Sequence, residues 1–153
     1  MTTKAHAMRL PFYELSPGPY KAFIAAGEAL KTSTLGKKIV DLVFLRVSLI
    51  NGCAYCVDMH WRDLIAQDVD PRVLNSISTW HEHDLFTPRE NAALLWAELV
   101  TNATASRVPD ADFAAMKEHY SDAEITDLTF AVALMNGWNR ISIAMRNPVP
   151  RKV

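Results

Sequence analysis

The sequence predicts an all-α protein of one domain, and three observations carry that reading. Glycine is scarce, at 5 of 153 residues. No stretch shows the period-2 alternation of a strand. The chain also carries repeated helix-start signals, each an N-cap residue followed by an early proline or by a glutamate three positions on.

Residues 1–16 read as an irregular lead-in, because Pro11 and Pro17 exclude a continuous helix. The helical domain is expected over 17–147, with a short tail at 148–153. A first helix is expected over about 18–31, with Tyr20, Phe23, Ile24 and Leu30 as its apolar stripe. Gly36 separates it from a second helix over about 37–50. That helix is apolar almost all round (Ile39, Val40, Leu42, Val43, Phe44, Leu45, Val47, Leu49, Ile50), so it belongs at the centre of the fold.

Asn51-Gly52 is a turn signal, and a third helix follows over about 53–67. Asp70-Pro71 opens a fourth, to about residue 81, with an N-cap acid before a proline. Thr87-Pro88-Arg89-Glu90 is a capping box that opens a fifth, to about residue 104, with Ala92, Leu95, Trp96 and Leu99 turned inward. Pro109-Asp110 introduces a short sixth through Tyr120. A second capping box, Ser121-Asp122-Ala123-Glu124, opens a long last helix to about Arg146, where Asn147-Pro148 ends it. The total is about six to seven helices. The last has apolar residues on more than one face, which suits burial in the domain or a subunit interface.

Composition narrows the function classes. Hydrophobic residues make up 50% and charged residues 22%, with a formal net charge of −1 and a pI near 6.5. No basic excess draws nucleic acid or an anionic membrane as partner. The longest apolar run, 39–50, is broken by Asp41, Arg46 and Ser48, so no membrane span is expected. The N-terminus has no apolar signal region, and a cytoplasmic location is expected. In that compartment two cysteines spaced C-x-x-C point to redox or metal chemistry in preference to a structural staple.

Those cysteines lie in Ile50-Asn51-Gly52-Cys53-Ala54-Tyr55-Cys56-Val57-Asp58-Met59-His60. On a helix, Cys56 and His60 stand one turn apart, and Cys53 joins their face. Peroxide chemistry needs this arrangement: one thiolate attacks oxygen and becomes a sulfenic acid, and a second thiol within reach converts it to a disulfide. His60 can carry the proton. The dipole argument makes Cys53 at the helix mouth the more acidic thiol, whereas the histidine argument activates Cys56, and these residues alone leave both open. Asp41 is the sole carboxylate in its apolar run, a setting that raises an acid's pKa and suits it to act as a base, unless a neighbouring Lys or Arg pairs it.

The run from Asp41 to His60 resembles the core of the AhpD-like alkylhydroperoxidases, within the carboxymuconolactone decarboxylase superfamily. The likeness continues through Leu85-Phe86-Thr87-Pro88-Arg89-Glu90 and Asn136-Gly137-Trp138-Asn139-Arg140-Ile141. The resemblance implies an all-helical, homo-oligomeric (trimeric or hexameric) peroxidase in antioxidant defence. Cys56 would attack the hydroperoxide, Cys53 would resolve, and His60 would relay the proton. It implies no metal and no organic cofactor, only an external thiol or lipoyl-type protein reductant. The family's relay ends in a glutamate twelve residues before the first cysteine. That position here is Asp41, one methylene shorter, and Leu49 stands where related sequences often carry glutamine. The C-x-x-C pair is not the hallmark of the decarboxylase branch, which argues against lactone decarboxylation.

Three rivals remain beside that reading, one of them another activity of the carboxymuconolactone decarboxylase superfamily with a weakened relay. Cys53, Cys56 and His60 could hold zinc with His81 or His83, although the chain has no third cysteine. A redox switch would form the same disulfide without turnover. The tract His81-Glu82-His83-Asp84 is expected in solvent at a helix C-terminus, and Asn136, Asn139 and Arg140 are expected to make buried hydrogen bonds or subunit contacts.

Overall fold

The computed structural model describes residues 7–151, and among these every regular element is helical. In chain order they are α1 (Phe12–Leu15), α2 (Pro17–Lys31), α3 (Lys37–Asn51), α4 (Ala54–Ile65), α5 (Pro71–Asn75), a 3-10 segment (Ile77–Glu82), α6 (Pro88–Thr101), α7 (Ala103–Ser106), α8 (Asp110–Met116) and α9 (Asp122–Met145). The extra elements are single turns. One of them, α1, falls within the stretch expected to be irregular, whose first six residues lie outside the described ones. The expected fourth helix splits at Ser76 into α5 and the 3-10 segment, and the segment itself kinks at Thr79, which leaves helical geometry. The expected fifth ends at Asn102 and restarts as α7.

The central position of α3 follows from its all-round apolarity. It packs against α4, α6 and α9, and Ile39 through Leu45, Val47 and Ser48 are all buried. Two clusters flank it. One joins Val40, Val43 and Val47 to Ala93 and Ala97 of α6 and to Leu128 and Val132 of α9. The other joins Leu42 and Leu45 to Leu64 of α4, Leu74, Ile77 and Leu94. Each fully buried leucine here stabilises the fold by about 2 kcal/mol.

The inward face of α6 is displaced from the expected one. Ala93, Leu94, Trp96 and Ala97 are buried, while Ala92, Leu95 and Leu99 are only half-buried. The small Ala93 and Ala97 let the helix lie close against α3.

Local sequence signals set the element boundaries. Both capping boxes form in full, with Thr87 and Ser121 accepting from the backbone of Glu90 and Glu124 and those glutamates bonding back. Asp70 caps α5 through the Arg72 amide at 2.8 Å. Gly52 ends α3 in the left-handed conformation, φ 69°, which glycine adopts without steric cost. The Cys53 amide then donates to the Ser48 carbonyl at 3.0 Å. Only Gly52 and Cys53 separate α3 from α4, so the cysteine pair is delivered straight off the central helix.

Polar residues on α9 tie it to α3. Asn139 is fully buried; its side-chain nitrogen donates to the Ser48 hydroxyl at 3.0 Å, and its oxygen accepts from Asn51 at 3.0 Å. Asn51 also donates to Asn136 at 3.0 Å. These are the buried hydrogen bonds expected of Asn136 and Asn139. Arg140 instead turns back along its own helix to Asn136. No helix among the described residues is long and apolar enough to cross a membrane.

Candidate active site

Cys53 is the N-cap of α4, and its sulfur accepts from the Cys56 amide. The two sulfurs are joined as a disulfide across three positions, with Cα atoms 5.4 Å apart. One turn further on, His60 is buried on the same helix, its ring tilted over Phe44 of α3 at 5.0 Å between centroids.

A cavity of about 420 Å³ opens beside this helix. Cys56 and His60 line it; Cys53 does not. Its far wall is aromatic: Phe12 and Tyr13 from α1, Tyr20 and Phe23 from α2, and Trp138 from α9. Trp138 meets Tyr20 and Phe23 edge-on, at 5.7 and 5.2 Å between centroids. The apolar stripe expected on α2 therefore faces this cavity, and of its four residues only Leu30 is buried in the core. Met59 lines the cavity too, whereas Trp61 points outward and is exposed. The segment carrying α1 is pinned across the cavity by Arg9, whose amide reaches the Met145 carbonyl at 2.8 Å and whose guanidinium reaches the Ala144 carbonyl at 2.9 Å.

Asp41 is completely buried but has company. One carboxylate oxygen accepts from Lys37 at 3.1 Å and Gln67 at 2.7 Å. The other lies 3.5 Å from the Lys31 ammonium and 3.9 Å from His60 Nδ1. Of the two settings the sequence leaves open for Asp41, the structure shows the paired one: two lysines and an amide converge on it from α2, α3 and the residues after α4. Ser48, on the same face of α3, is engaged by Asn139 and takes no part.

A second carboxylate, absent from the sequence reading, stands nearer the ring. Asp63 Oδ2 is 3.5 Å from His60 Nδ1, three residues on along α4, and 3.9 Å from Lys31. The His60 nitrogen foremost, then the Lys31 and Lys37 charges, hold the Asp63 carboxyl below its usual range against the opposing push of partial burial. Both ring nitrogens of His60 and Oδ1 of Asp41 are buried without a hydrogen bond of good geometry. The ligand atoms of Asp41, His60 and Asp63 all lie within 4.8 Å of one another, as a cation would require. The two ammonium groups already compensate that charge and oppose one.

His81 and His83 lie elsewhere. His81 stacks on Trp80 at 3.6 Å and meets Glu98 at 3.2 Å, and His83 meets the Ser76 carbonyl at 3.2 Å. Neither lines the cavity.

Fold and site together define a class: an all-helical dithiol protein in which a C-x-x-C pair opens a helix and its second cysteine shares a cavity with a histidine one turn on. Comparison with known proteins narrows it. The carboxymuconolactone decarboxylase family matches residues 17–99. The uncharacterised protein YdfG of Bacillus subtilis is 34% identical over 146 residues, which is 95% of this chain and 99% of YdfG. A crystal structure from Agrobacterium tumefaciens, of a protein of unknown function suggested to be the antioxidant defence protein AhpD, superposes with a TM-score of 0.91 at 34% identity. It covers 95% of this chain and all of that one. An uncharacterised peroxidase-related protein of Ralstonia eutropha, described as an alkylhydroperoxidase AhpD core, gives 0.81 at 26% identity, over 92% of this chain and 75% of that one. The chain belongs to the carboxymuconolactone decarboxylase family, on its AhpD-like side.

Proposed function

We propose that the protein is a dithiol peroxidase that reduces organic hydroperoxides in antioxidant defence. One observation carries this reading: a disulfide-forming pair in which Cys56, and not Cys53, faces an aromatic cavity beside a buried histidine. In the reduced protein the Cys56 thiolate attacks the outer peroxide oxygen. The O–O bond breaks, the alcohol leaves with a proton supplied through His60, and Cys56 becomes a sulfenic acid. The Cys53 thiol then attacks that sulfur, water leaves, and the disulfide closes. Asp41 is the carboxylate behind the ring, and its Lys31 and Lys37 partners keep it in place. Two electrons from an external thiol or lipoyl-type protein reopen the pair; the cycle uses no metal or organic cofactor. Homo-oligomerisation is part of the reading, and Phe130 and Ile143, exposed on α9, are apolar surface that a partner copy would cover.

The test is a thiol count on reduced protein before and after one equivalent of cumene hydroperoxide, for wild type and for Cys56→Ser. Two thiols lost per chain, at a rate abolished by the substitution, is the expected result. Thiols that survive the peroxide would overturn the reading. Loss no faster than in a free dithiol would favour a redox switch.

A further inference from the structure

The proposed cycle needs His60 to present one nitrogen to the thiol and the peroxide while something fixes the other. A neutral imidazole has one N–H and one bare nitrogen, and which is which is set by the partner the N–H finds. Here Nδ1 is the nitrogen turned toward carboxylates, at 3.5 Å from Asp63 and 3.9 Å from Asp41. Nε2 is buried and unpartnered, and Cys56 stands one turn back on the same helix.

The two carboxylates are not equivalent. Lys37 and Gln67 take one oxygen of Asp41 at 3.1 and 2.7 Å, and the other, which faces the ring, has the Lys31 ammonium at 3.5 Å, nearer than His60 at 3.9 Å. Asp63 has one competing cation, Lys31 at 3.9 Å, and its side chain keeps 36% of its exposure, so the Oδ2 nearest the ring is the freer acceptor. Asp63 also sits at i+3 from His60, where two helical side chains meet without help from tertiary packing. Contacts of this kind are often long in the resting enzyme and shorten when the reacting group arrives.

Resting on the dithiol peroxidase reading, we propose that Asp63 is the positioning residue of this site. It accepts Nδ1–H and so holds His60 with Nε2 bare toward the Cys56 thiol. The thiol proton passes to Nε2, Asp63 stabilises the imidazolium that results, and the same proton is returned from Nε2 to the alkoxide as the O–O bond breaks. No proton is gained or lost over the step. Asp41 then serves as the charged anchor that brings Lys31 and Lys37 up behind the ring. The charged and titratable groups around His60 are Asp63 and Cys56 on α4, Asp41 and Lys37 on α3 and Lys31 on α2, and Glu28, Tyr13, Tyr20 and Tyr55 line the same cavity.

The test reads His60 directly. In ¹⁵N-histidine-labelled reduced protein at neutral pH, the His60 ring is expected as a single Nδ1–H tautomer, and Asp63→Asn should turn it into a mixture. The same variant should slow alkylation of Cys56 by iodoacetamide by about tenfold or more and displace its pH profile upward, and Asp63→Glu should restore both. Asp58→Asn, whose carboxylate pairs with Arg62 at 2.8 Å away from the cavity, is the control and should change neither. Circular dichroism checks folding, and Asp63→Ser serves if the asparagine variant is unstable. An unchanged tautomer and alkylation profile in Asp63→Asn would overturn the proposal, as would a tautomer lost in Asp41→Asn alone. Neither readout uses peroxide, so thiols that survive hydroperoxide in the wild type would sink the peroxidase reading and leave this result standing.

Discussion

Two polar clusters are built off the same central helix, and they are built in opposite ways. At one, Glu98 of α6 is the hub: Arg46 of α3 donates to it twice, at 3.0 and 2.8 Å, the Trp80 indole donates at 2.7 Å, and His81 meets it at 3.2 Å. Burial pushes the Glu98 carboxyl up, but these donors outweigh it and hold the group below its ordinary value. At the other, around His60, the contacts run to 3.5 and 3.9 Å, and three buried polar atoms lack a hydrogen bond. Buried polar groups are nearly always satisfied, so a cluster left unsatisfied calls for a reason. The Glu98 cluster locks α6 and the 3-10 segment to α3. The His60 cluster keeps its hydrogen-bonding capacity in reserve and faces a cavity, as a site does that must bind something or move a proton.

Substitutions should separate the two. The largest effect is expected at His60: His60→Gln should slow peroxide-driven loss of the protein thiols by about 100-fold or more, while thermal unfolding shifts little. If unfolding collapses and the rate per folded molecule holds, the contrast is wrong. Next comes Glu98→Ala, which leaves Arg46 half-buried without its partner and should cost about 2 kcal/mol in urea unfolding, with the rate per folded molecule unchanged.

A titration sharpens the same contrast. Because the folded Glu98 value lies below the ordinary 4.5, its contribution is complete above pH 4.5. It is lost as the pH falls through the lower folded value. The stability gap between wild type and Glu98→Gln should therefore stay constant at neutral pH and narrow in acid; a gap that widened in acid would reverse the assignment. Smallest is Thr87→Ala, which removes one half of a capping box and should cost about 1 kcal/mol with no change at the thiols.

Much of this was readable from sequence, for physical reasons. Caps and turns are local, so Thr87, Ser121, Asp70 and Gly52 all mark element ends correctly. All-round apolarity placed α3 at the centre. The placing of Cys56 and His60 one turn apart on α4 is local too, so the spacing shows it, whereas Cys53, as the N-cap, stays out of the cavity that they line. Partners drawn from other elements were not visible. Lys31 and Gln67 reach Asp41 from positions 10 and 26 residues away, and no periodicity reports that. Lys37 and Asp63 are a different matter. They stand at i−4 from Asp41 and i+3 from His60, and the helical spacing rule that grouped the cysteines would have found both. On α6 the expected burial holds for Trp96 but not for Ala92, Leu95 and Leu99, because the close approach to α3 turns Ala93, Leu94 and Ala97 inward in their place.

The width of the cavity beside Cys56 depends on a close approach between α9 and α2. A β-carbon added at Gly137 of α9 would stand 2.8 Å from the Phe23 ring, and that ring is part of the aromatic wall. The wall's standoff from the thiols is therefore governed by a backbone position that carries no chemistry. A methyl group at residue 137 would displace the ring and reshape the cavity while leaving Cys53, Cys56, His60 and both carboxylates untouched. If the cavity receives the peroxide proposed above, its shape and the chemistry of its thiols are set by different residues, and a change on α9 could alter which molecules fit without touching the cysteines.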